Sequence, residues 1–128
     1  MAGATDLGLE ITHRRQQYPF LISLEAVGEL HGIESAATEV TIGAAVPLSQ
    51  IKASLQGVFP ALDEMLHWFA ARQVRNRATL GGNLGTASPI GDLPPVLLAL
   101  DATVTLASTA GERTVAISDF FTGYRQTL

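Results

Sequence analysis

Apolar residues change their period several times along this chain, and each change predicts a new element. Phe20 to Leu24 is a short apolar-rich run of the kind that forms a buried strand, and His31 to Ser35 is a candidate for another. Val40, Ile42, Ala44 and Val46 alternate with other residues, the period of a half-buried strand, and Pro47 ends that run. Leu48, Ile51 and Leu55 then recur at helical spacing as far as Gly57. A second helix is expected from Pro60, because proline suits the first helical turn. It places Leu62, Met65, Leu66 and Phe69 on one face. A short helix is expected around Pro95 to Leu100. Ala102, Val104 and Leu106 alternate, Thr109-Ala110-Gly111-Glu112 turns, and Val115 and Ile117 alternate again, which predicts a β-hairpin. The expected fold class is α+β: a mixed or antiparallel sheet with two or three helices packed on one side.

No periodicity runs through RATLGGNLGTASPIGDLPP, Arg77 to Pro95. Its glycines and short polar residues predict a long loop, neither helix interior nor regular strand. Loops of that length usually bind something or are disordered. Glycine leaves the backbone N–H open to close approach, so Gly81, Gly82 and Gly85 suit a loop whose amides face an anion such as phosphate. Thr79, Asn83, Thr86 and Ser88 add short polar side chains. No glycine run ends in Gly-Lys-Ser or Gly-Lys-Thr, and the glycine spacing is not that of a dinucleotide-binding turn. The competing reading is a structural loop whose polar groups satisfy one another. Asp92 weighs against it. As a helix N-cap it would accept from the N–H groups two and three residues on, but those residues are Pro94 and Pro95 and have none. Its carboxylate must be solvated by water or by a hydroxylated ligand. A second turn of small residues, Ala2-Gly3-Ala4-Thr5-Asp6, precedes a short helix expected from Leu7. Its amides are either capped locally or offered to phosphate.

Composition narrows the classes. The 128 residues suit a single domain, and 47% hydrophobic with 16% charged residues supports a folded core. The net charge of -4 and the thin, scattered basic residues do not fit a nucleic-acid partner. With no cysteine, thiolate zinc sites, iron–sulfur ligation and disulfides are excluded for this chain, which fits a reducing cytoplasm. His13, His31 and His67 lack ligand spacing, so no metal site is expected. Neither a signal peptide nor a membrane-spanning run is present, since the most apolar stretch, Leu93 to Leu100, is too short. Trp68 lies off the apolar stripe of its helix and is expected at an interface or partly exposed.

AGATDLG, WFAARQVRNRATLGGNLGTASPIGDLPPVLLALDA and FFTGYRQTL together resemble the FAD-binding domain of the xanthine dehydrogenases, within the molybdenum hydroxylases. The form TASPIGD resembles xanthine dehydrogenase more than the medium subunits of carbon monoxide dehydrogenase or hydroxybenzoyl-CoA reductase. The resemblance implies the flavin fold of the vanillyl-alcohol oxidase group. It implies that Gly3, Ala4, Thr5, Asp6 and Leu7 form a first FAD loop at the pyrophosphate, and that Thr79, Gly82, Asn83, Thr86 and Ser88 contact phosphate and ribityl groups. Asp92 would accept from the hydroxylated part of the cofactor. Pro89 and Ile90 would lie near the flavin ring, and Phe69 and Ala70 would pack against FAD, although Phe69 also falls on a core stripe. Arg72, Arg75 and Arg77 could attract cofactor phosphates, but the preferred reading is that they are solvated or meet a neighbouring domain. In such an enzyme, a molybdopterin centre oxidises a purine, 2Fe-2S clusters carry the electrons to FAD, and NAD takes them up. Molybdopterin and the clusters belong to other domains, and no catalytic residue is assigned here. The resemblance also implies a domain truncated at both ends, with weak or absent FAD and a tendency to homodimerise. A non-enzymatic flavin- or nucleotide-binding module, or an apo structural fragment, is the alternative.

Overall fold

The computed structural model describes residues 1–128. Its centre is helical. α2 (Leu48–Ser54) buries Leu48 and Ile51, α3 (Pro60–Trp68) buries Leu62 and Leu66, and α6 (Leu93–Ala99) buries Leu93 and Leu97. These pairs are three or four residues apart, so each helix turns one apolar stripe inward. Withdrawing each such leucine or isoleucine from water contributes about 1.5–3 kcal/mol. Short helices α5 (Leu80–Gly85) and α7 (Ile117–Phe120) add Leu80, Leu84, Ile117 and Phe120 to the same cluster.

The strands sit around this centre as three separate antiparallel pairs: β1 (Ile33–Ser35) with β2 (Val40–Ile42), β3 (Thr103–Ser108) with β4 (Gly111–Ala116), and β5 (Phe121–Gly123) with β6 (Gln126–Thr127). The α+β class and the antiparallel pairing hold, but the strands form no single sheet and the helices do not line one side of one. The predicted arrangement is reversed: helices make the core, and Ile33, Val40, Ile42, Val104, Leu106 and Val115 press the hairpins against it half-buried. The β3–β4 hairpin matches its alternation, with Val104 opposite Val115 and Leu106 opposite Arg113. Gly111 at φ +123 serves its tight turn. Ile117, expected as a strand residue, instead starts α7.

Two further expectations are corrected. Phe20 to Leu24 is not a buried strand: it is irregular, and Phe20 and Ile22 are 75% and 67% exposed. No element of this chain lies over it. Its backbone is tied to the first residue, through Leu24 N–H to the Met1 carbonyl (2.8 Å) and the Met1 ammonium to the Ile22 carbonyl (2.5 Å), and otherwise only locally, the Leu24 carbonyl accepting from Val27 N–H. The glycine-rich segment is not a continuous loop either. Leu80 to Gly85 is helical because Leu80 and Leu84, one turn apart, are both buried and Thr79 caps the first turn, its Oγ1 accepting from Gly82 N–H at 3.0 Å. Packing and a cap outweigh the entropic cost of three glycines.

Candidate functional site

The first small-residue turn enters α1 (Leu7–Thr12) with Ala4 at φ 57, a left-handed conformation that costs a non-glycine residue about 1–2 kcal/mol. Strain of this kind collects at binding sites. Gly8 N–H donates to the Ala4 carbonyl at 2.7 Å, closing the turn. The N–H groups of Ala4, Thr5, Asp6 and Leu7 find no acceptor in the chain. Gly3 lies flat against the strip leading into α5, where a Cβ would collide with the Arg77 carbonyl oxygen. Only glycine permits that approach.

At α5 the amides are already engaged. Gly81 N–H donates to the Ala44 carbonyl at 3.0 Å and Gly82 N–H to Thr79 Oγ1. The expectation that these glycines offer free amides is therefore corrected. Gly81 serves packing, since its Cβ would meet Ala44 Cβ at 2.6 Å. What α5 does offer is Asn83. Its Oδ1 is buried and has no hydrogen-bond partner, a state that costs about 1–3 kcal/mol unless something donates to it. Thr86 Oγ1 lies 2.7 Å from the Gly82 carbonyl and 3.3 Å from Asp6 Oδ2. One hydroxyl proton serves the shorter contact best, so Asp6 keeps acceptor capacity. Asp92 is the N-cap residue of α6 and makes no capping bond, as the two prolines require.

These groups converge. A cleft of about 560 Å3 is lined by Gly3 through Leu7, by Phe69 and Ala70, and by Thr79, Gly82, Asn83, Thr86, Ser88, Ile90 and Asp92. That volume is in the range of small-molecule sites. Pro89 alone among the sequence-selected residues falls elsewhere, in a second hollow of about 180 Å3 with Phe121 and Tyr124. Met1, Ala2, Leu9, Val74, Ala78 and Gly91 complete the larger cleft, and of these only Ala2, in the first turn, was singled out from the sequence. The others are apolar or glycine, types without a chemical signature. Phe69 reconciles its two readings: half-buried, it packs against the core cluster and also lines the cleft.

No lysine, arginine or histidine lines the cleft, whereas Asp6 and Asp92 do. A phosphate there would depend on amide N–H groups, with the carboxylates kept for hydroxyls. The arginines act elsewhere. Arg77 pairs with Glu25, and Arg75 Nη1 donates to the carbonyls of Phe69 and Ala70, both at 2.6 Å. No three histidine, cysteine or acidic side chains cluster as a metal site would need, and no helix is long and apolar enough to cross a membrane. Trp68 is 75% exposed, its indole N–H donating to Glu64 at 2.8 Å.

Residues 1–128 match the family described as the FAD binding domain in molybdopterin dehydrogenase. The chain is 39% identical to xanthine dehydrogenase/oxidase of Gallus gallus over its whole length, and 38% identical over 98% of it to xanthine dehydrogenase of Drosophila subobscura. It spans only 10% and 11% of those relatives. Among solved structures it superposes on carbon monoxide dehydrogenase from Hydrogenophaga pseudoflava, which lacks the Mo-pyranopterin moiety of its molybdenum cofactor, with a TM-score of 0.93 and 34% identity. It matches quinoline 2-oxidoreductase from Pseudomonas putida 86 with a TM-score of 0.89 and 34% identity. It covers 100% and 99% of itself in those matches but 45% of each matched chain.

Proposed function

The chain belongs to the FAD-binding domain family of the molybdopterin dehydrogenases, and we propose that its larger cleft holds FAD as the flavin station of a longer, xanthine dehydrogenase-like enzyme. The residues fit such a group. The unpaired amides of Ala4 to Leu7 form an anion-binding concavity that suits a pyrophosphate without help from a cation. Asn83 supplies a buried acceptor for a hydroxyl or amide of the cofactor. Asp92, deprived of its capping donors, accepts from ribityl or ribose hydroxyls. Phe69 and Ile90 give an apolar surface for the ring system.

The single observation that carries this reading is the meeting of two incomplete hydrogen-bond sets in one cleft: donors without acceptors on the first turn, and Asn83 and Asp92 without donors beside them. The chemistry FAD supplies when bound is the conversion of single-electron transfer into hydride transfer. This chain's residues bind it, orient it and shield one side from water. No side chain of the cleft is assigned a proton-transfer role. In the parent enzyme, iron–sulfur and molybdenum domains would supply electrons and NAD would receive them. Their support is the naming of the relatives as xanthine dehydrogenases. The exposed apolar segment around Phe20 supports homodimerisation of the isolated chain as a further part of the reading.

FAD titration followed by quenching of flavin fluorescence tests the proposal. Asp92→Ala is expected to leave thermal stability within about 0.5 kcal/mol of wild type, because no cap is lost. It is expected to weaken FAD binding tenfold or more, as removal of a charged acceptor costs about 1.5–3 kcal/mol. Unchanged affinity would remove Asp92 from the site. Failure of both this chain and a version extended at both ends to quench flavin at any concentration would refute the cofactor reading.

A further inference from the structure

Arg75 lies outside the cleft lining, yet it holds one part of its wall. α3 ends at Trp68, Phe69 takes an extended conformation, and Ala70 turns the chain at φ 45. The chain then re-enters helix in α4 (Arg72–Arg75). Neither the Phe69 nor the Ala70 carbonyl accepts a backbone N–H. Both accept instead from Arg75 Nη1 at 2.6 Å. One charged nitrogen thus satisfies two successive carbonyls across a turn that alanine adopts only at a cost. The neighbouring arginines do nothing comparable: the Arg72 guanidinium makes no hydrogen bond or ion pair, and Arg77 is engaged by Glu25. Arg75 is also half-buried, whereas Arg72 and Arg77 are exposed.

The turn so fixed carries the one aromatic side chain shared by core and cleft. Phe69 and Ala70 both line the cleft, and the direction of the Phe69 ring follows from the backbone that Arg75 clamps. We propose that Arg75 is a positioning residue, which by bridging the carbonyls of Phe69 and Ala70 holds the left-handed turn at Ala70 and sets the Phe69 ring against the bound flavin. The inference rests on the FAD reading above only for its last clause.

Two variants and two readouts separate the parts. Arg75→Met keeps the aliphatic stem and removes the donors. Arg75→Lys keeps an ammonium able to donate to both carbonyls. In the ligand-free chain, the Ala70 13Cα and 13Cβ chemical shifts report its left-handed conformation directly. Arg75→Met is expected to lose that signature and to weaken FAD binding about tenfold, with Arg75→Lys restoring the signature and bringing the affinity within about threefold of wild type. Arg72→Met, the control, is expected to change neither. An unaltered Ala70 signature in Arg75→Met overturns the proposal. So does a variant that loses thermal stability but binds FAD as wild type does. Should Arg75→Met fail to fold, Arg75→Lys alone decides: a left-handed Ala70 with near wild-type affinity supports the role, and loss of either refutes it. If neither the wild-type chain nor a version extended at both ends binds FAD, the cofactor reading and the flavin clause are refuted, while the Ala70 shifts still decide the clamp.

Discussion

A buried acceptor without a donor is a liability that a ligand can convert into an asset, and Asn83 is such a residue. Replacing it with alanine removes a desolvated, unpaired group and improves helix propensity within α5. Asn83→Ala is therefore expected to leave the ligand-free chain as stable as wild type, or up to about 1 kcal/mol more stable by thermal denaturation. The same change is expected to weaken FAD binding about tenfold, since one hydrogen bond to the cofactor is lost. Opposite signs in the two measurements distinguish a ligand contact from a structural one; parallel losses would place Asn83 in the scaffold alone. Asp92 could be found from sequence, because Pro94 and Pro95 abolish its local donors whatever the fold does. The orphaned state of Asn83 could not, since it depends on which groups the fold buries around it. Arg77 is a similar case, since it finds its carboxylate, Glu25, across 52 positions; Arg75 reaches back only to Phe69 and Ala70, but through a left-handed turn at Ala70 that the sequence does not announce.

Among the elements, apolar period located α2, α3 and the β3–β4 hairpin, because each stripe is long enough to stand above its background. It missed α5, whose entire apolar signal is Leu80 and Leu84 set among glycines. It misplaced Phe20 to Leu24 for the opposite reason: a strong apolar run says that something should cover it, not that this chain does. The glycines of α5 therefore separate by packing rather than by helix propensity. Gly81→Ala puts a Cβ 2.6 Å from Ala44 Cβ and 2.7 Å from its carbonyl oxygen, and is expected to destabilise the fold by about 1–3 kcal/mol in denaturant titration. At Gly85 a Cβ meets nothing within 4 Å, and its φ is not positive. Gly85→Ala is expected to stabilise by about 0.4–1 kcal/mol through the lost entropy of the unfolded chain. Equal effects at the two positions would mean that α5 is not docked on Ala44 as described. Thr79, buried and capping α5, is expected to cost about 1 kcal/mol when changed to alanine.

Over the whole molecule, the cleft and the exposed apolar surface are distinct consequences of one arrangement, in which a helical centre is ringed by hairpins but not closed around residues 18 to 24. Phe20, Leu21 and Ile22 are exposed, and their N–H groups donate to nothing in the chain. An exposed apolar segment with free backbone donors can pair with another chain as an unpaired edge does. If the chain acts within a longer enzyme, as proposed, segments outside it are candidates to cover this surface, since it spans about a tenth of the relatives' length. In the isolated chain the partner at hand is a second copy. Sedimentation velocity is expected to show association that strengthens with protein concentration. A Phe20→Lys, Ile22→Lys double variant is expected to sediment as a monomer with its thermal transition unchanged, because neither side chain contributes to the buried core. FAD affinity should be retained in that variant, since neither residue lines the cleft. A wild-type chain that stays monomeric across the concentration range would show that exposed donors and apolar area at this segment are too few for pairing. Loss of FAD binding in the lysine variant would instead mean that the segment supports the first turn through its ties to Met1, a role the two hydrogen bonds there make testable.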